Sequence, residues 1–504
     1  MENNSKQRKR GAVLSYVSII INVLIQFIYT PLLIRQLGQS EYGLYSLVSS
    51  IIGYLTVLDL GFGNAIIVYT SKYRTQGDAE AERKLHGMFK KVFDIIALIA
   101  IFCGIVLFFN VDNFFGNTMN EIELKKTKVM MLILAFNLGI TFSFTIYSSI
   151  LSAYEKFTFQ KVMSIISAIL KPCIMIPLLY LGFKSITMTI VITIVNIGIL
   201  LSNYIYCKNK LHISTKFCGF DKILFKTILG YSIWVFLGVI VDKINWSIDQ
   251  FILGAISGTV AVSIYSIAGQ INSLFVNLST AVSSVLLPKI SKMVARGSNQ
   301  DELTDEMIKV GRIQFYIILL MTSGLILFGK KFIMYWAGQE YIDSYYCVIM
   351  LIIPTAIPLI QNLGISIRQA MNKHKFATLI NIFVAIFNLI ISIFLAKKYG
   401  PIGSACGTGI GILLSSIIIN LYYQLNLKLN MIKFWNSILK IGLPCLIPIG
   451  IIFIAMKTFP IQGIKEILIY GTLYTLMYCL VAYKFSMNQY EKSIMKNMLK
   501  KGKV

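Results

Sequence analysis

The chain has 504 residues, of which 56% are hydrophobic and only 14% are charged, and its mean hydropathy is +0.72. Soluble domains contain about 45–50% apolar and about 25% charged residues. This composition excludes a disordered chain, a coiled coil and an ordinary multidomain soluble enzyme, and it indicates a membrane protein. The net charge of +25 falls between apolar segments rather than on a polar domain, so the sequence does not indicate a nucleic-acid binder.

Fourteen apolar segments are long enough to cross a bilayer, because a membrane-spanning helix needs about 20 residues. In chain order their predicted limits are 12–34, 43–69, 92–110, 129–152, 162–181, 186–206, 232–254, 260–287, 313–333, 345–367, 376–396, 403–423, 438–456 and 464–483. Of the 47 Lys and Arg residues, 33 lie in the two termini and in the connections predicted on the same side of the membrane as the termini. This asymmetry predicts that both termini are cytoplasmic.

The sequence contains a weak internal repeat. When the sequence is aligned with itself at an offset of 220 residues, eight identities occur in forty aligned positions without a gap. The matched residues are Gly38, Tyr45, Ser46, Ile51, Leu58, Ser71, Lys72 and Gly77, which meet Gly258, Tyr265, Ser266, Ile271, Leu278, Ser291, Lys292 and Gly297. Parallel repeats of this kind build two bundles around a central cavity. We therefore expect six-helix bundles over 1–211 and 212–430, and helices 13 and 14 with a basic cytoplasmic tail over 431–504.

Charged residues within the predicted spans are candidates for function, because charge at the centre of a bilayer is costly. The deepest are Asp59, Lys171, Asp242 and Lys243, and Arg35, Asp249 and Arg368 lie nearer the ends of their spans. The repeat also places 242–249, a polar segment that resembles a loop, inside a span. An ion pair between Asp242 and Lys243 and a role for Arg35 and Arg368 as interfacial anchors remain alternatives.

Uncharged polar residues follow helical spacing in several spans, which indicates one polar face on each helix. The predicted cavity residues are Asn22, Gln26, Trp246, Gln270, Asn277 and Asn388. Hydrogen bonds between helices are the alternative explanation for such faces. The three His residues, 86, 212 and 374, fall in predicted polar connections, so no histidine proton relay within the membrane is expected.

Motifs for catalysis and metal binding are absent from the sequence. No Walker loop, GxSxG or HExxH motif occurs, and the eight Cys residues are scattered without metal-ligand spacing. We therefore expect a transporter without ATPase activity, with no cofactor and no metal site.

Three segments, PLLIRQLGQSEYGLYSL (31–47), VLDLGFGNAI (57–66) and SGTVAVSIYSIAGQI (257–271), resemble the polysaccharide flippases that translocate O-antigen and capsule repeat units. These flippases belong to the larger group that includes multidrug exporters and the lipid II flippase. The resemblance implies two six-helix bundles with two additional helices. It also implies transport of an undecaprenyl-pyrophosphate-linked oligosaccharide from the inner to the outer leaflet of a bacterial inner or plasma membrane by alternating access.

For the site, the resemblance implies that cavity cations contact pyrophosphate or acidic sugars, and Lys171, Lys243, Arg35 and Arg368 have the required charge. The expected partners are the lipid-linked oligosaccharide, membrane lipids, and a polymerase or other membrane proteins of an export pathway.

The related flippases and antiporters often couple transport to a cation gradient, so the resemblance leaves coupling to H⁺ or Na⁺ open, with Asp59, Asp242 and Asp249 as candidates. A cation-coupled exporter of small molecules is the alternative function. A membrane glycosyltransferase or polymerase is disfavoured, since no large external loop or carboxylate cluster is visible. The identity of the surface polymer is left open among O-antigen, capsule, exopolysaccharide and a wall polymer.

Overall fold

The computed structural model describes residues 2–284, 287–371, 373 and 375–493. Within these ranges every regular element is helical, and the chain forms two compact units, one up to Ser263 and the other from Ile264. Twelve helical stretches in the described residues are long and apolar enough to cross a membrane. The predicted all-α polytopic membrane fold is confirmed.

The first unit contains α1 (Glu2–Leu37), α2 (Gln39–Leu55), α3 (Phe62–Gln76), α4 (Ala79–Phe115), α5 (Glu121–Ala153), α6 (Phe157–Tyr180), α7 (Ser185–Asn209) and most of α8 (Lys222–Ser284). The second contains the end of α8 and then α9 (Leu287–Ala295), α10 (Gln300–Trp336), α11 (Ile342–Ile360), α12 (Leu363–Ala370), α13 (Lys375–Leu425), α14 (Met431–Thr458) and α15 (Ile464–Val481).

The structure has twelve such stretches where the sequence predicts fourteen spans, because α8 and α13 each contain two of the predicted spans. Helix α8 turns at Gly258, where φ is 80°, and α13 turns at Gly400, where φ is 58°. Glycine adopts these positive-φ conformations without the steric cost that a Cβ brings. The backbone is non-helical at both glycines, so α8 and α13 each consist of two helical segments joined at a kink. Residues 242–249 are helical within α8, as the repeat predicted.

The glycines that the repeat aligns have matching backbone conformations. Gly38 and Gly258 both have a φ of 80°, and Gly77 and Gly297 have φ values of 72° and 74°. The two segments therefore begin and end with similar turns. The structure divides into its two compact units between residues 263 and 264. The domain boundaries at 211/212 and 430/431, which come from the sequence repeat, stay predictions.

Helix α5 is the central helix of the first unit and packs against α2, α3, α4 and α7, whereas α1 packs along α6. Helices α4 and α5 pack tightly at Gly104, where an added Cβ would collide with the Cβ of Ala135. Glycine is therefore required here for close packing between the two helices.

Substitution of Gly104 by alanine is expected to lower the free energy of unfolding by about 1–3 kcal/mol, because the extra methyl group overpacks the interface of α4 and α5. Gly198→Ala on α7 is the matched control, since no atom lies within 4 Å of its added Cβ. Thermal unfolding in detergent measures both variants. Equal stability of the two variants would contradict the packing role of Gly104.

Buried polar contacts join the first turns of α2, α5 and α7. The carboxylate of Glu41 on α2 accepts hydrogen bonds from Lys126 on α5 and from the hydroxyl of Ser185 on α7. Nearby, the carboxylate of Glu123 accepts bonds from Ser40 and, at 2.9 Å, from Thr259. The buried carboxylate of Glu41, paired with Lys126, and the half-buried carboxylate of Glu123 thus hold the ends of these helices together.

The polar connection predicted around His86 is wrong. Helix α4 begins at Ala79, with the carboxylate of Asp78 accepting the Ala81 amide at 2.9 Å as an N-cap, and therefore extends well before the predicted span at 92–110. His86 is buried on this extension, and its Nε2 lies 3.0 Å from the hydroxyl of Thr70. The helix continues because its inner face still buries apolar residues beyond the membrane-spanning segment.

In the second unit, α10 packs against α11, α14 and α15, and α11 packs against α13. The segment after α15 returns to α10 through Glu491, which binds the guanidinium of Arg312. An apolar core that includes Tyr316, Cys445 and Tyr474 fills the space between α10, α14 and α15. The two C-terminal spans are therefore part of this unit's core.

Candidate functional site

The first unit contains a polar cavity of about 330 Å³ between α1, α5, α6 and α7. The polar residues lining it are Asn22, Ser148, Gln160, Ser164, Ser167, Lys171, Asn196 and Asn203. No carboxylate is among the lining residues within the part of the chain that the structure describes. The cavity thus combines one cation with amides and hydroxyls. It includes Lys171, predicted as a cavity cation, and Asn22, predicted as a cavity amide.

Helix α6 lacks one backbone hydrogen bond beside this cavity, because Pro172 follows Lys171. A helical residue donates its N–H to the carbonyl four residues earlier, and proline has no N–H to donate. The carbonyl of Ala168, a lining residue, is therefore left without its usual helical donor. Lys171 forms no ion pair with any residue that the structure describes.

The amide groups of the cavity are oriented by hydrogen bonds with the helices around them. The Nδ2 atom of Asn22 donates to the carbonyl of Ser18 at 2.7 Å. The Nδ2 atom of Asn196 donates to Asn137 at 2.7 Å and to Thr141 at 2.8 Å. Asn203 is 7% exposed, and its Oδ1 has no hydrogen-bond partner among the described residues. The amide nitrogens of Asn22 and Asn196 are thus occupied, whereas none of the three side-chain oxygens accepts a hydrogen bond from a residue that the structure describes.

Sequence reasoning missed Gln160, Asn196 and Asn203. Asn196 and Asn203 are seven residues apart on α7, which places them on one face of the helix. This spacing was available in the sequence. Gln160 lay in a predicted connection, but the structure places it in the first turn of α6. Its side chain donates to Ser148 and Ser152 on α5, which brings it to the cavity.

Asp59 lies where the second predicted span is broken. Helix α2 ends at Leu55, a short 3₁₀ turn follows at Thr56–Asp59, and Leu60 has a φ of 52° before α3 begins at Phe62. Positive φ is strained for a leucine. The carboxylate of Asp59 lies over Gly63 at the start of α3, and its Oδ1 has no hydrogen-bond partner in the described ranges. The break therefore holds a carboxylate with a free acceptor.

The other charges predicted in the first unit are dispersed. Lys243 is half-buried on α8, and its Nζ lies near Gly53 of α2. Asp249 is fully buried and interacts electrostatically with Tyr54. Arg35 has an exposed side chain in the last turn of α1. The side chains of Asp242 and Trp246 are not among those that the structure describes.

In the second unit, Arg368 is a buried cation in the last turn of α12. It is 8% exposed, its guanidinium carbon lies 5.7 Å from the centre of the Tyr423 ring, and its Nε and Nη1 have no partner among the described residues. Gln361 and Asn362, just before α12, also carry buried amide nitrogens without partners there. The side chains around α12 thus hold unused hydrogen-bond donors, which favour an anion.

The remaining predicted polar residues do not line the cavity of the first unit. Asn388 is buried on α13 and accepts hydrogen bonds from Ser392 at 2.9 Å and Thr408 at 3.2 Å. Gln26 and Gln270 are half-buried, and Asn277 is exposed. Within the described residues, no group of three His, Cys, Asp or Glu side chains is placed to hold a metal ion.

Residues 9–294 match the family described as polysaccharide biosynthesis protein, which is more than half of the chain. The protein belongs to this family. It is 24% identical over 429 residues to a Shigella flexneri protein named "Putative O-antigen transporter", a match that covers 82% of this chain and 97% of the relative.

Two solved structures share the fold. The lipid II flippase MurJ in an inward closed conformation has a TM-score of 0.74 and 20% identity, and the match covers 94% of this chain and 98% of MurJ. An inward-facing multidrug resistance MATE family transporter of the MOP superfamily has a TM-score of 0.66 and 15% identity, with coverage of 83% and 98%. These relatives and neighbours are named as transporters, in agreement with the prediction that the chain is not an enzyme.

Proposed function

We propose that this protein is a flippase for undecaprenyl-pyrophosphate-linked oligosaccharide repeat units. It moves them from the inner to the outer leaflet of a bacterial inner or plasma membrane by alternating access, for the synthesis of a cell-surface polysaccharide. Both termini lie in the cytoplasm. A polymerase and other export-pathway membrane proteins use the translocated unit.

The observation that carries the proposal is the polar cavity around Lys171 within the membrane-spanning part of the first unit. A sugar headgroup cannot cross hydrocarbon unaided, because each hydroxyl loses its hydrogen bonds to water without replacement. The cavity supplies replacement groups from Asn22, Lys171, Asn196 and Asn203. The membership in the polysaccharide biosynthesis family and the name of the Shigella relative support the same substrate class.

Arg368 supplies a second argument for an anionic lipid carrier. A buried guanidinium without a partner is unfavourable, and an anion that binds its free N–H groups relieves this cost. We therefore propose that Arg368 contacts the pyrophosphate during transport. Lys243 and Arg35 remain proposed contacts on the basis of their charge.

Deletion of the gene tests the function directly. We expect completed lipid-linked repeat units to accumulate on the inner leaflet and surface polymer to disappear, and the wild-type gene to reverse both effects. The alternative, a cation-coupled small-molecule exporter, is supported by the fold shared with the MATE transporter. It would be favoured by normal surface polymer in the deletion strain together with new sensitivity to cationic drugs.

Asp59 is the proposed site of coupling to H⁺ or Na⁺, together with Asp242 or Asp249. Asp59→Asn is expected to reduce the rate of transport while binding of the lipid-linked oligosaccharide is retained, because the cavity keeps its lining residues. Transport into vesicles under an imposed proton or sodium gradient measures the first effect, and equilibrium binding measures the second. Unchanged gradient dependence in the variant would exclude Asp59.

A further inference from the structure

The orientation of the amides in the cavity of the first unit determines which chemical groups it can bind. Two of the three asparagines have their nitrogens bonded to the helices, at Ser18 for Asn22 and at Asn137 and Thr141 for Asn196. The side-chain hydrogen bonds that Asn22 and Asn196 form with described residues are all donated by their nitrogens, which leaves their oxygens without a donor there. The buried Oδ1 of Asn203 also has no partner in the described part of the chain. The cavity lining is therefore rich in free acceptors.

The backbone adds a further acceptor to this set. Pro172 leaves the carbonyl of Ala168 without its helical donor, and Ala168 lines the same cavity. A ligand must bring hydrogen-bond donors to satisfy these oxygens. A sugar hydroxyl both donates and accepts, so it can donate to an amide oxygen and also accept from Lys171. A pyrophosphate offers acceptor oxygens, which the amide oxygens repel.

Accordingly, we infer that this cavity is the subsite for the sugar portion of the substrate and recognises a polyhydroxylated sugar residue through its hydroxyl donors. The pyrophosphate is bound by other groups of the protein. This inference rests on the proposed function and assigns a part of the substrate to a part of the chain. It makes Asn203 a residue that determines affinity for the sugar.

Asn203 offers a test that separates binding from folding. Its side chain has no hydrogen bond to lose in the described structure, and its buried Oδ1 is unsatisfied. Replacing it by leucine, which has nearly the same shape, removes a desolvated polar group and so favours the folded state. The same change removes one acceptor for a sugar hydroxyl. We therefore expect Asn203→Leu to raise the thermal stability of the full-length protein and to weaken sugar binding.

The experiment compares two lipids by equilibrium binding to the purified full chain in nanodiscs. One is undecaprenyl pyrophosphate, and the other is the undecaprenyl-pyrophosphate-linked oligosaccharide extracted from the deletion strain. Asn203→Leu is expected to weaken binding of the oligosaccharide lipid about fivefold, the value of one ordinary hydrogen bond. Its affinity for undecaprenyl pyrophosphate should equal that of the wild type.

Asn110→Leu is the matched control. Asn110 is a half-buried asparagine near the end of α4 that donates to the carbonyl of Val106 at 2.9 Å and does not line the cavity. It should bind both lipids like the wild type. Equal weakening of both lipids in Asn203→Leu, or no weakening of either, would overturn the sugar subsite. If the wild type bound neither lipid, the proposed function itself would fail.

Discussion

Replacement of Lys171 by alanine is expected to abolish export of surface polymer while the protein still inserts in the membrane. Lys171 supplies the positive charge that lines the polar cavity, and no carboxylate lines the cavity in the described ranges. Loss of a charged hydrogen-bond donor to the substrate costs about 1.5–3 kcal/mol, which corresponds to a loss of affinity of roughly 10- to 100-fold. Surface polymer in the complemented deletion strain, normalised to the amount of membrane-inserted protein, measures the effect.

Two further variants show whether charge or shape is responsible. Lys171→Arg keeps the positive charge and should retain part of the export. Lys161→Ala removes a cation from the same helix, but Lys161 does not line the cavity. This variant should therefore export polymer normally. Normal export by Lys171→Ala would make Lys171 a structural residue and would remove the cavity as the substrate site.

Removal of Arg312 is expected to produce the largest loss of stability in the second unit. Its Nε donates to Glu491 at 2.5 Å, and its Nη2 donates to the other carboxylate oxygen and to the carbonyl of Ser486, each at 3.0 Å. The Glu491 side chain is only 4% exposed, so Arg312→Gln leaves a buried carboxylate without its charge partner. Breaking such a pair costs about 3–5 kcal/mol. Thermal unfolding in detergent measures the loss.

The double variant Arg312→Leu, Glu491→Leu distinguishes the buried charge from lost packing. It should regain most of the stability, because no unpaired charge remains. Lys433→Gln serves as the control, since the ion pair between Lys433 and Asp305 is about half exposed and exposed pairs contribute about 0–1 kcal/mol. A stability loss in the double variant as large as in Arg312→Gln would contradict this explanation.

The sequence could predict parts of the candidate site because intramembrane charge is costly and therefore conspicuous. Lys171 next to Pro172 was recognised in this way, as was the polar face that contains Asn22. The same reasoning gave equal weight to Asn388, whose side chain is instead satisfied by Ser392 and Thr408. Polarity within a span shows that a residue needs a partner, but it does not show whether that partner is another helix or a ligand.

The role of Arg368, which lies near the end of a predicted span, could not be decided from the sequence. From the sequence it was either an interfacial anchor or a cavity cation. The structure buries it against Tyr423, and two of its donor atoms have no partner among the described residues, which does not fit an anchor that reaches into water. Its burial depends on the packing of α12 against α9 and α10 and on Tyr423 near the end of α13, and these contacts join residues that are far apart in the sequence.

By itself, the sequence determined that the protein is an all-helical polytopic membrane protein, and it indicated the spans, since the bilayer requires helices about 20 residues long with apolar side chains. The tertiary structure decided which polar side chains meet. It brought Asn22, Lys171 and Asn203 from three helices to one cavity and turned the amide nitrogens of Asn22 and Asn196 into the protein. Helical periodicity gives the face on which a residue lies, but the neighbours of that face depend on contacts between helices far apart in the chain.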